Sequence, residues 1–408
     1  MDKLTAWLNS LASAHTPSFA ECVQILGAKF PLLHDLARTE QDAIWHAEGN
    51  VAIHTEMVLQ SLYTLLGSME PTIVGRQRQT LILAALLHDI AKPMVTKRKH
   101  IGNKARVVAP KHEKLGADYL AVRLMALPLA HTVVKDVLSL VAYHNIPKLL
   151  VIRNAGFDAY FKLSLEIELS MLYWLEMADM QGRVCQDQNE QLDILEQFKM
   201  FAEEYALWSV DDPRSEQLKR IQVKQSPREQ DYLNAIAVSQ LAHGEISVIE
   251  EAIAKNFQAA QNYAHLYIMC GVSGSGKSTW ISQHLTDFEL VSLDEIRKEL
   301  NGKRACQKNR GQVLQLAKSR LKSALANKRN VVWDATNIRK DFRKLVCDFG
   351  VNYGALTTLV IFHKSEQQIR AGNRNREYIV DEEVISKQIS RFEWPSATEA
   401  HRVMYVVN

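Results

Sequence analysis

The run Gly271-Val272-Ser273-Gly274-Ser275-Gly276-Lys277-Ser278-Thr279 carries the most specific chemistry in the chain. Its spacing, G-x-x-x-x-G-K-[ST], is that of a loop that cradles phosphate oxygens. The glycines let successive backbone N–H groups turn inward, and a helix starting at the loop's end adds its own N–H groups and positive dipole end. Gly271, Ser273, Gly274, Ser275, Gly276, Lys277, Ser278 and Thr279 are therefore the expected nucleotide-binding residues. Lys277 would reach the β- and γ-phosphates, and Ser278 would offer its hydroxyl to a metal ion. The implied ligand is ATP or another nucleoside triphosphate with Mg²⁺.

Three further groups downstream could turn phosphate holding into phosphoryl transfer. Asp294 follows the apolar run 289–293, where it could accept the proton of an attacking hydroxyl. Arg297, one helical turn on, could hold a phosphate of the acceptor as a two-pronged donor. The competing role for Asp294 is to cap a helix beginning at Glu295, and for an isolated Asp that role is the commoner one. Asp334 ends the run 330–333 and could hold Mg²⁺ through water. Arg370, Arg374 and Arg376 form a basic segment ahead of a helix expected at 382–393. Such a segment is either a solvated face or a mobile lid that neutralises charge on the transferred group.

A second constellation lies near the N-terminus. His88-Asp89 ends the apolar run 81–87, where two idle polar neighbours would be costly. His54, His88, Asp89 and Asp179 could supply one metal ion with imidazoles and carboxylates from several helices. His112 and His144 could hold a second metal or touch a substrate phosphate. Imidazole ligands favour Mn²⁺, Co²⁺ or Ni²⁺ over Mg²⁺. The bland alternative is that each histidine satisfies a core hydrogen bond.

These residues need two kinds of scaffold. Residues 1–205 read as almost entirely helical, with apolar residues at three- and four-residue spacing in 51–66, 80–90, 116–127, 132–143 and 163–180. Residues 206–262 are more polar and helix-leaning, a connector that could belong to either neighbour. From 263 to 408 short apolar runs (266–270, 289–293, 330–333, 356–362, 403–407) alternate with helical segments, the pattern of a parallel α/β sheet. The expected architecture is thus multidomain, an all-α region followed by an α/β P-loop domain, as suits 408 residues. The 47% hydrophobic and 23% charged residues are those of a soluble globular chain. A net charge of +3 is too weak to argue for a nucleic-acid partner, so local basic clusters must do so. Five scattered cysteines without a C-x-x-C pair indicate neither a disulfide framework nor a zinc ribbon. With no apolar stretch of 18 residues and no leader, a cytoplasmic protein without membrane association is expected.

The elements of 263–408 together resemble polynucleotide 5′-kinases, the family of the phage and bacterial end-healing kinases. The resemblance rests on Gly271–Ser278, Asp294 with Arg297, the Asp334-Ala335-Thr336-Asn337 turn and the arginine segment. It implies that Asp294 is the general base for a 5′-OH and that Arg297 contacts the adjacent nucleic-acid phosphate. Arg374 or Arg376 would be the lid arginine on the donor phosphates. Family lids often continue into Val-Pro, whereas this chain has Val380-Asp381, so both arginines stay open. Small-metabolite kinases share the loop and the Asp-x-Thr-Asn turn.

Residues 40–185 resemble the HD phosphohydrolase superfamily. The segments from His46-Ala47-Glu48-Gly49 to His54-Thr55 and from Ala178-Asp179 to Gly182-Arg183 look like the HD domains of RNA-processing enzymes such as tRNA nucleotidyltransferases. That likeness implies a metal-activated water attacking phosphorus, with Lys92 stabilising the charged oxygens. The whole arrangement resembles the bacterial bifunctional HD–polynucleotide kinase enzymes. It implies action on RNA ends, DNA ends as an alternative, and a separate ligase as partner. One domain would remove 2′,3′-cyclic or terminal phosphates, and the other would phosphorylate 5′-OH ends. The rival readings are a small-metabolite or nucleoside kinase fused to an HD nucleotidase, and an ATP-gated regulatory HD protein. A pure switch has no need of an acceptor base such as Asp294.

Overall fold

The computed structural model describes residues 2–68, 73–102, 104–222, 226–304 and 308–407. Its backbone divides into two units, Met1–Asp211 and Asp212–Asn408. The first is built around the Gly75–Leu87 helix, in which every residue from Arg78 to Leu87 is buried. A helix apolar on nearly all sides belongs at the centre of a bundle. Two of its polar exceptions are matched: Arg78 donates to Leu11 O (2.5 Å) and His15 O (2.9 Å), and Gln79 to Leu8 O (2.6 Å). The helices Val51–Ser68, His131–Tyr143 and Leu169–Gln181 pack on it, and His112–Leu124 packs on His131–Tyr143.

Two expectations for this unit need correction. The stretch 163–180 is not one helix: Phe157–Ser164 ends and Leu169–Gln181 begins anew. Glu168 turns the chain between them (ψ 124°), and its carboxylate accepts the Ser170 hydroxyl at the new helix start. The unit also contains a β-hairpin, Lys97–Ile101 (β1) against Lys104–Val108 (β2), with Lys97 opposite Val108 and Ile101 opposite Lys104. β1 is polar and exposed at nearly every position, so it has no buried face and leaves no alternating apolar signal. Asp42 anchors the base of the hairpin, accepting from Arg106 Nε and Nη2 (both 2.6 Å) and from Val107 N (3.1 Å). The Arg106 guanidinium lies 3.9 Å over the Trp45 ring.

The second unit is a five-stranded sheet: His265–Cys270 (β3), Glu289–Ser292 (β4), Val331–Asp334 (β5), Leu356–Phe362 (β6) and Arg402–Val406 (β7). The order is β4-β5-β3-β6-β7 and every neighbouring pair is parallel. β6 is buried throughout, as a strand covered on both faces must be. The chain leaves β3 and builds outward on both sides of it, so the C-terminal end of β3 is the switch point where ligands lie in open α/β sheets. Within 206–262, the helices Pro227–Ala242 and Glu251–Gln261 pack together, and Tyr232 and Tyr263 close over Leu356 of β6. Cys22, Cys185, Cys270 and Cys347 are free thiols, and Cys306 lies outside the described residues. Among the described residues no helix is long and apolar enough to cross a membrane.

Candidate active sites

In the helical unit, helix ends converge. His54 sits in the first turn of Val51–Ser68, and Asp179 in the last turn of Leu169–Gln181. His88 and His144 immediately follow Gly75–Leu87 and His131–Tyr143, and His112 opens His112–Leu124. All six residues of the expected set, Asp89 included, are buried. Gly182 permits the closure: a Cβ there would come within 2.6 Å of Val58 N, so only glycine lets Asp179 face His54 across this crossing.

The ligand atoms form two groups, His54/His88/Asp179 and Asp89/His112/His144, each with its atoms within 4.8 Å of one another. Asp179 Oδ1 lies 2.9 Å from His54 Nε2 and 3.9 Å from His88 Nε2. Asp89 joins the groups, with Oδ2 3.3 Å from His88 Nε2 and Oδ1 3.1 Å from His112 Nε2. Asp89 thus belongs as much with His112 and His144 as with the His54 group where its position in the sequence had placed it.

The histidines are held in one tautomer. Nδ1 of His88, His112 and His144 meets the carbonyl three residues back, Ala85 O (2.8 Å), Ala109 O (2.8 Å) and Val141 O (2.9 Å). A carbonyl only accepts, so each Nδ1 carries the proton and each Nε2 presents a lone pair inward. His54 Nδ1 does the same toward Glu48 Oε1 at 3.0 Å. Four inward atoms (His54 Nε2, His88 Nε2, His112 Nε2 and Asp179 Oδ1) are buried and form no hydrogen bond, and a fifth, Asp89 Oδ2, meets only the Lys92 ammonium. The four would each cost about 1–3 kcal/mol if left so. One or two divalent cations satisfy all five, so the residues present fit a metal centre. The His144 lone pair is met by Asn145 Nδ2 at 3.2 Å.

The electrostatics agree. Burial alone would raise the Asp89 and Asp179 carboxyls, but both are held well below the ordinary range, Asp89 chiefly by Lys92 and His88 and Asp179 chiefly by Arg183 and His54. Burial, reinforced by His112 and His88, pushes His144 down to about 3, so it stays neutral. Burial also opposes charge on His54, but Asp179 and Glu48 outweigh it and raise its pKa. A metal cation is the other charge those carboxylates can take. Lys92 Nζ lies 2.6 Å from Asp89 Oδ2 and 2.7 Å from Gln41 Oε1, at the edge of the cavity that exposes the cluster. Gln41, Trp45, His46, Val107, Val108 and Arg183 also line that cavity.

Two functional residues had no assigned role in the sequence. Glu48 orients His54 while holding His46 Nδ1 (2.8 Å) and Val184 N (2.9 Å). Arg183 holds Asp179 Oδ2 at 2.7 Å. The signal for Glu48 was its place between two histidines, in His46-Ala47-Glu48 and before His54.

In the second unit the phosphate loop links β3 to the Lys277–His284 helix. Gly274 and Gly276 take φ of +91° and +94°, which only glycine adopts without strain. Lys277 Nζ donates to Gly271 O (2.8 Å) and Val272 O (3.0 Å). Burial pushes its pKa down to about 8, with Asp334 opposing and Arg376 reinforcing. Ser278 and Thr279 are exposed, Ser275 is buried, and the Ser273 N–H meets Gln388 Oε1 at 2.8 Å.

β4 and β5 end in register, Ser292 beside Asp334, and the Ser292 hydroxyl donates to Asp334 Oδ2 (3.2 Å). Burial raises the Asp334 pKa, Lys277 lowers it, and Asp294 and Arg376 act on the same carboxylate. Asp294 is not a helix cap. The helix begins at Leu293 after Ser292, so Asp294 falls in its first turn, exposed to solvent. Its side chain pairs with Arg297.

The turn after β5 is docked on the loop. Thr336 O accepts from Gly271 N (2.9 Å), and Asn337 Nδ2 donates to Met269 O (2.6 Å). The buried Arg343, with no role assigned from sequence, fastens this turn through Asn337 O (3.1 Å) while paired with Glu399.

The arginine segment divides. Arg370 is tied to Glu366, Glu382 and Ser386. Arg374 ends the Glu366–Arg374 helix, exposed, while Arg376 acts on both Lys277 and Asp334. Asn373 clamps the segment closed, its Nδ2 donating to Val380 O (2.7 Å) and its Oδ1 accepting from Val380 N (3.0 Å). The same helix abuts the phosphate loop: a Cβ on Gly372 would lie 2.1 Å from Gly274 O. The expected helix 382–393 spans Glu382–Ser390.

A family model for the HD domain matches residues 51–166, and one for an AAA domain matches residues 266–395. No curated protein matches the chain. The chain therefore joins an N-terminal HD domain, helical and rich in metal-ligating side chains, to a C-terminal kinase-like P-loop domain on a parallel sheet. This is the make-up of an enzyme with hydrolase and nucleotide-dependent kinase domains.

Proposed function

We propose that the chain is a bifunctional nucleic-acid end-healing enzyme. The P-loop domain transfers the γ-phosphoryl of a nucleoside triphosphate to a 5′-OH end, and the HD domain hydrolyses 2′,3′-cyclic or terminal 2′/3′ phosphates. RNA ends are the main substrate and DNA ends the alternative. The observation that carries the reading is the Asp294–Arg297 pair at the end of β4, electrostatically linked to Lys277 and Asp334.

In that site Asp294 accepts the hydroxyl proton as the 5′ oxygen bonds to the γ-phosphorus. The bond to the β–γ bridging oxygen breaks, and its electrons leave with the nucleoside diphosphate. Lys277 and Arg376 stabilise charge on the transferred group. Arg297 exchanges Asp294 for the phosphate next to the accepting end, which frees the base. Asp334 and Ser278 would hold Mg²⁺.

In the HD domain His54, His88, Asp89, His112, His144 and Asp179 would hold the cation or cations, with Mn²⁺, Co²⁺ or Ni²⁺ suited to the imidazoles. A divalent cation there supplies Lewis acidity toward phosphoryl oxygens and acidifies water. Lys92 neutralises a phosphate oxygen at the cavity edge, and Glu48 and Arg183 keep His54 and Asp179 aligned. The product ends, 3′-OH and 5′-phosphate, are those a separate ligase consumes.

The test is to incubate the protein with a 5′-OH, 2′,3′-cyclic-phosphate oligoribonucleotide, ATP, Mg²⁺ and Mn²⁺, and to follow both ends. Lys277→Ala should lose 5′ phosphorylation and keep 3′-end hydrolysis. Phosphorylation of nucleosides or small alcohols with none of the oligonucleotide would favour a metabolite kinase with an HD nucleotidase.

A further inference from the structure

We propose that the β1–β2 hairpin is a binding arm for the backbone of a single-stranded polynucleotide, guiding its end into the HD cavity. This rests on the reading that the HD domain acts on nucleic-acid ends. The hairpin concentrates positive charge in a chain of nearly neutral balance. β1 reads Lys97-Arg98-Lys99-His100-Ile101, and β2 adds Lys104 and Arg106. Every residue of β1 is exposed, and so is Lys104.

Among the described residues, two of these charges are paired. Arg98 pairs with Glu40 and Arg106 with Asp42. Lys97, Lys99 and Lys104 have no acidic partner among the described residues. An exposed lysine cluster held on a fixed strand repels itself, so it needs a reason to persist.

Register gives the cluster a direction. Lys97, Lys99 and Ile101 share one face of β1, and their partners Val108, Arg106 and Lys104 share the same face of β2. Lysines two residues apart on a strand stand about 7 Å apart. That is close to the spacing of successive phosphates in an extended single strand. The same ribbon ends at the cavity, whose lining includes Thr96, just before β1, and Val107 and Val108 of β2. The Asp42 anchor and the Arg106–Trp45 stack fix this junction, so the lysines project from a rigid base beside the ligand cluster. A strand lying along the ribbon would have its terminal phosphate directed to Lys92 and Asp89. A lone mononucleotide could enter the cavity without touching the lysines.

The experiment uses the full chain and the triple variant Lys97→Ala/Lys99→Ala/Lys104→Ala. Binding of a 5′-phosphorylated single-stranded oligoribonucleotide is followed by fluorescence anisotropy across a salt series, and hydrolysis of bis(p-nitrophenyl) phosphate with Mn²⁺ is measured in parallel. Three lost phosphate contacts should lower the magnitude of the log K against log[salt] slope by about 2 and weaken binding about 10–100-fold near physiological salt. The small diester should be hydrolysed at the wild-type rate, showing the HD centre intact. For an oligonucleotide 2′,3′-cyclic end, KM should rise with kcat unchanged.

Unchanged affinity and slope would overturn the arm, whatever the hydrolysis. So would loss of binding to anionic phosphatidylserine vesicles with oligonucleotide binding intact. If wild-type protein cleaved no oligonucleotide end but the variant still lost strand binding, the arm would stand and the end-healing reading would fall.

Discussion

Replacing Glu48 by Gln tests whether tautomer control holds the HD centre together. Glu48 Oε1 accepts from His54 Nδ1 at 3.0 Å and His46 Nδ1 at 2.8 Å, while Oε2 accepts from Val184 N at 2.9 Å. A glutamine has nearly the same shape but only one acceptor oxygen. If that oxygen faces Val184, the amide NH₂ faces two imidazoles, and His54 must turn its lone pair outward and its proton toward the ligand cluster. If it faces the imidazoles, the Val184 N–H is opposed by a donor and the charge that favours the Nδ1–H form is gone. Either way the inward lone pair of His54 becomes less available. Partners that orient metal-bound histidines are worth about 10–100-fold in metal affinity or activity. At 1.36 kcal/mol per factor of ten this is about 1.4–2.7 kcal/mol.

The assay is a chelator-competition titration of Mn²⁺ or Co²⁺ on the full chain, with diester hydrolysis measured at limiting and at saturating metal. Affinity should fall by the stated factor, and saturating metal should recover much of the rate. Kinase activity should stay at the wild-type level, which controls for folding. Wild-type metal affinity in Glu48→Gln would refute the tautomer argument outright.

Asp294→Ala should cut 5′ phosphorylation by about 10²–10⁴-fold while leaving nucleotide binding near normal, read by steady-state rates and by calorimetry with a non-hydrolysable ATP analogue. A full-rate Asp294→Ala enzyme would remove Asp294 as the base. The two lid arginines should separate: Arg376→Ala should lower kcat about 100-fold or more, because it acts on Lys277 and Asp334, and the exposed Arg374→Ala less than about threefold. Equal losses in single-turnover assays would contradict that division. The buried His401, whose Nδ1 accepts from Thr357 N (3.1 Å), has its pKa pushed down by burial to about 4 from 6.5. Between those pH values the unfolded chain binds a proton that the native chain does not, so stability falls as pH falls through this window, by about 3 kcal/mol in full. Denaturant titrations of wild type and His401→Asn from pH 7 to pH 4 should therefore converge, with the variant showing the shallower loss.

Much of the sheet was legible because its strands are short apolar runs between helical segments. β6 coincides with the run 356–362, and the phosphate loop follows β3 as its spacing requires. The candidate metal ligands were legible as residue types out of place, polar groups ending apolar helices. Their grouping was not, because it depends on which oxygen of Asp89 faces which histidine. Glu48 and Arg343 reach partners 136 and 56 residues away, Val184 and Glu399, contacts that no local pattern announces, whereas Arg183 meets Asp179 only four residues back. The hairpin escaped because its strands are polar and solvated, and periodicity reports only faces that are buried. The break at 165–168 escaped because the apolar spacing runs through it unaltered.

The Asn373–Val380 clamp bears on turnover. A lid that swings freely must be ordered at each binding event, at roughly 1–2 kcal/mol per residue fixed, and its opening can set the rate at which product leaves. Here residues 374–379 are closed off by two hydrogen bonds at their ends, while Arg370 ties the preceding helix to Glu382 and Ser386. Most of that ordering is completed when the chain folds. In the proposed kinase reaction the donor nucleotide would meet an arginine already in place, and the slow step would shift from lid closure toward departure of the nucleoside diphosphate. Cutting the clamp with Asn373→Ala would return the loop to a fluctuating ensemble, and the loss should appear as a slower approach to the bound state rather than as a slower chemical step.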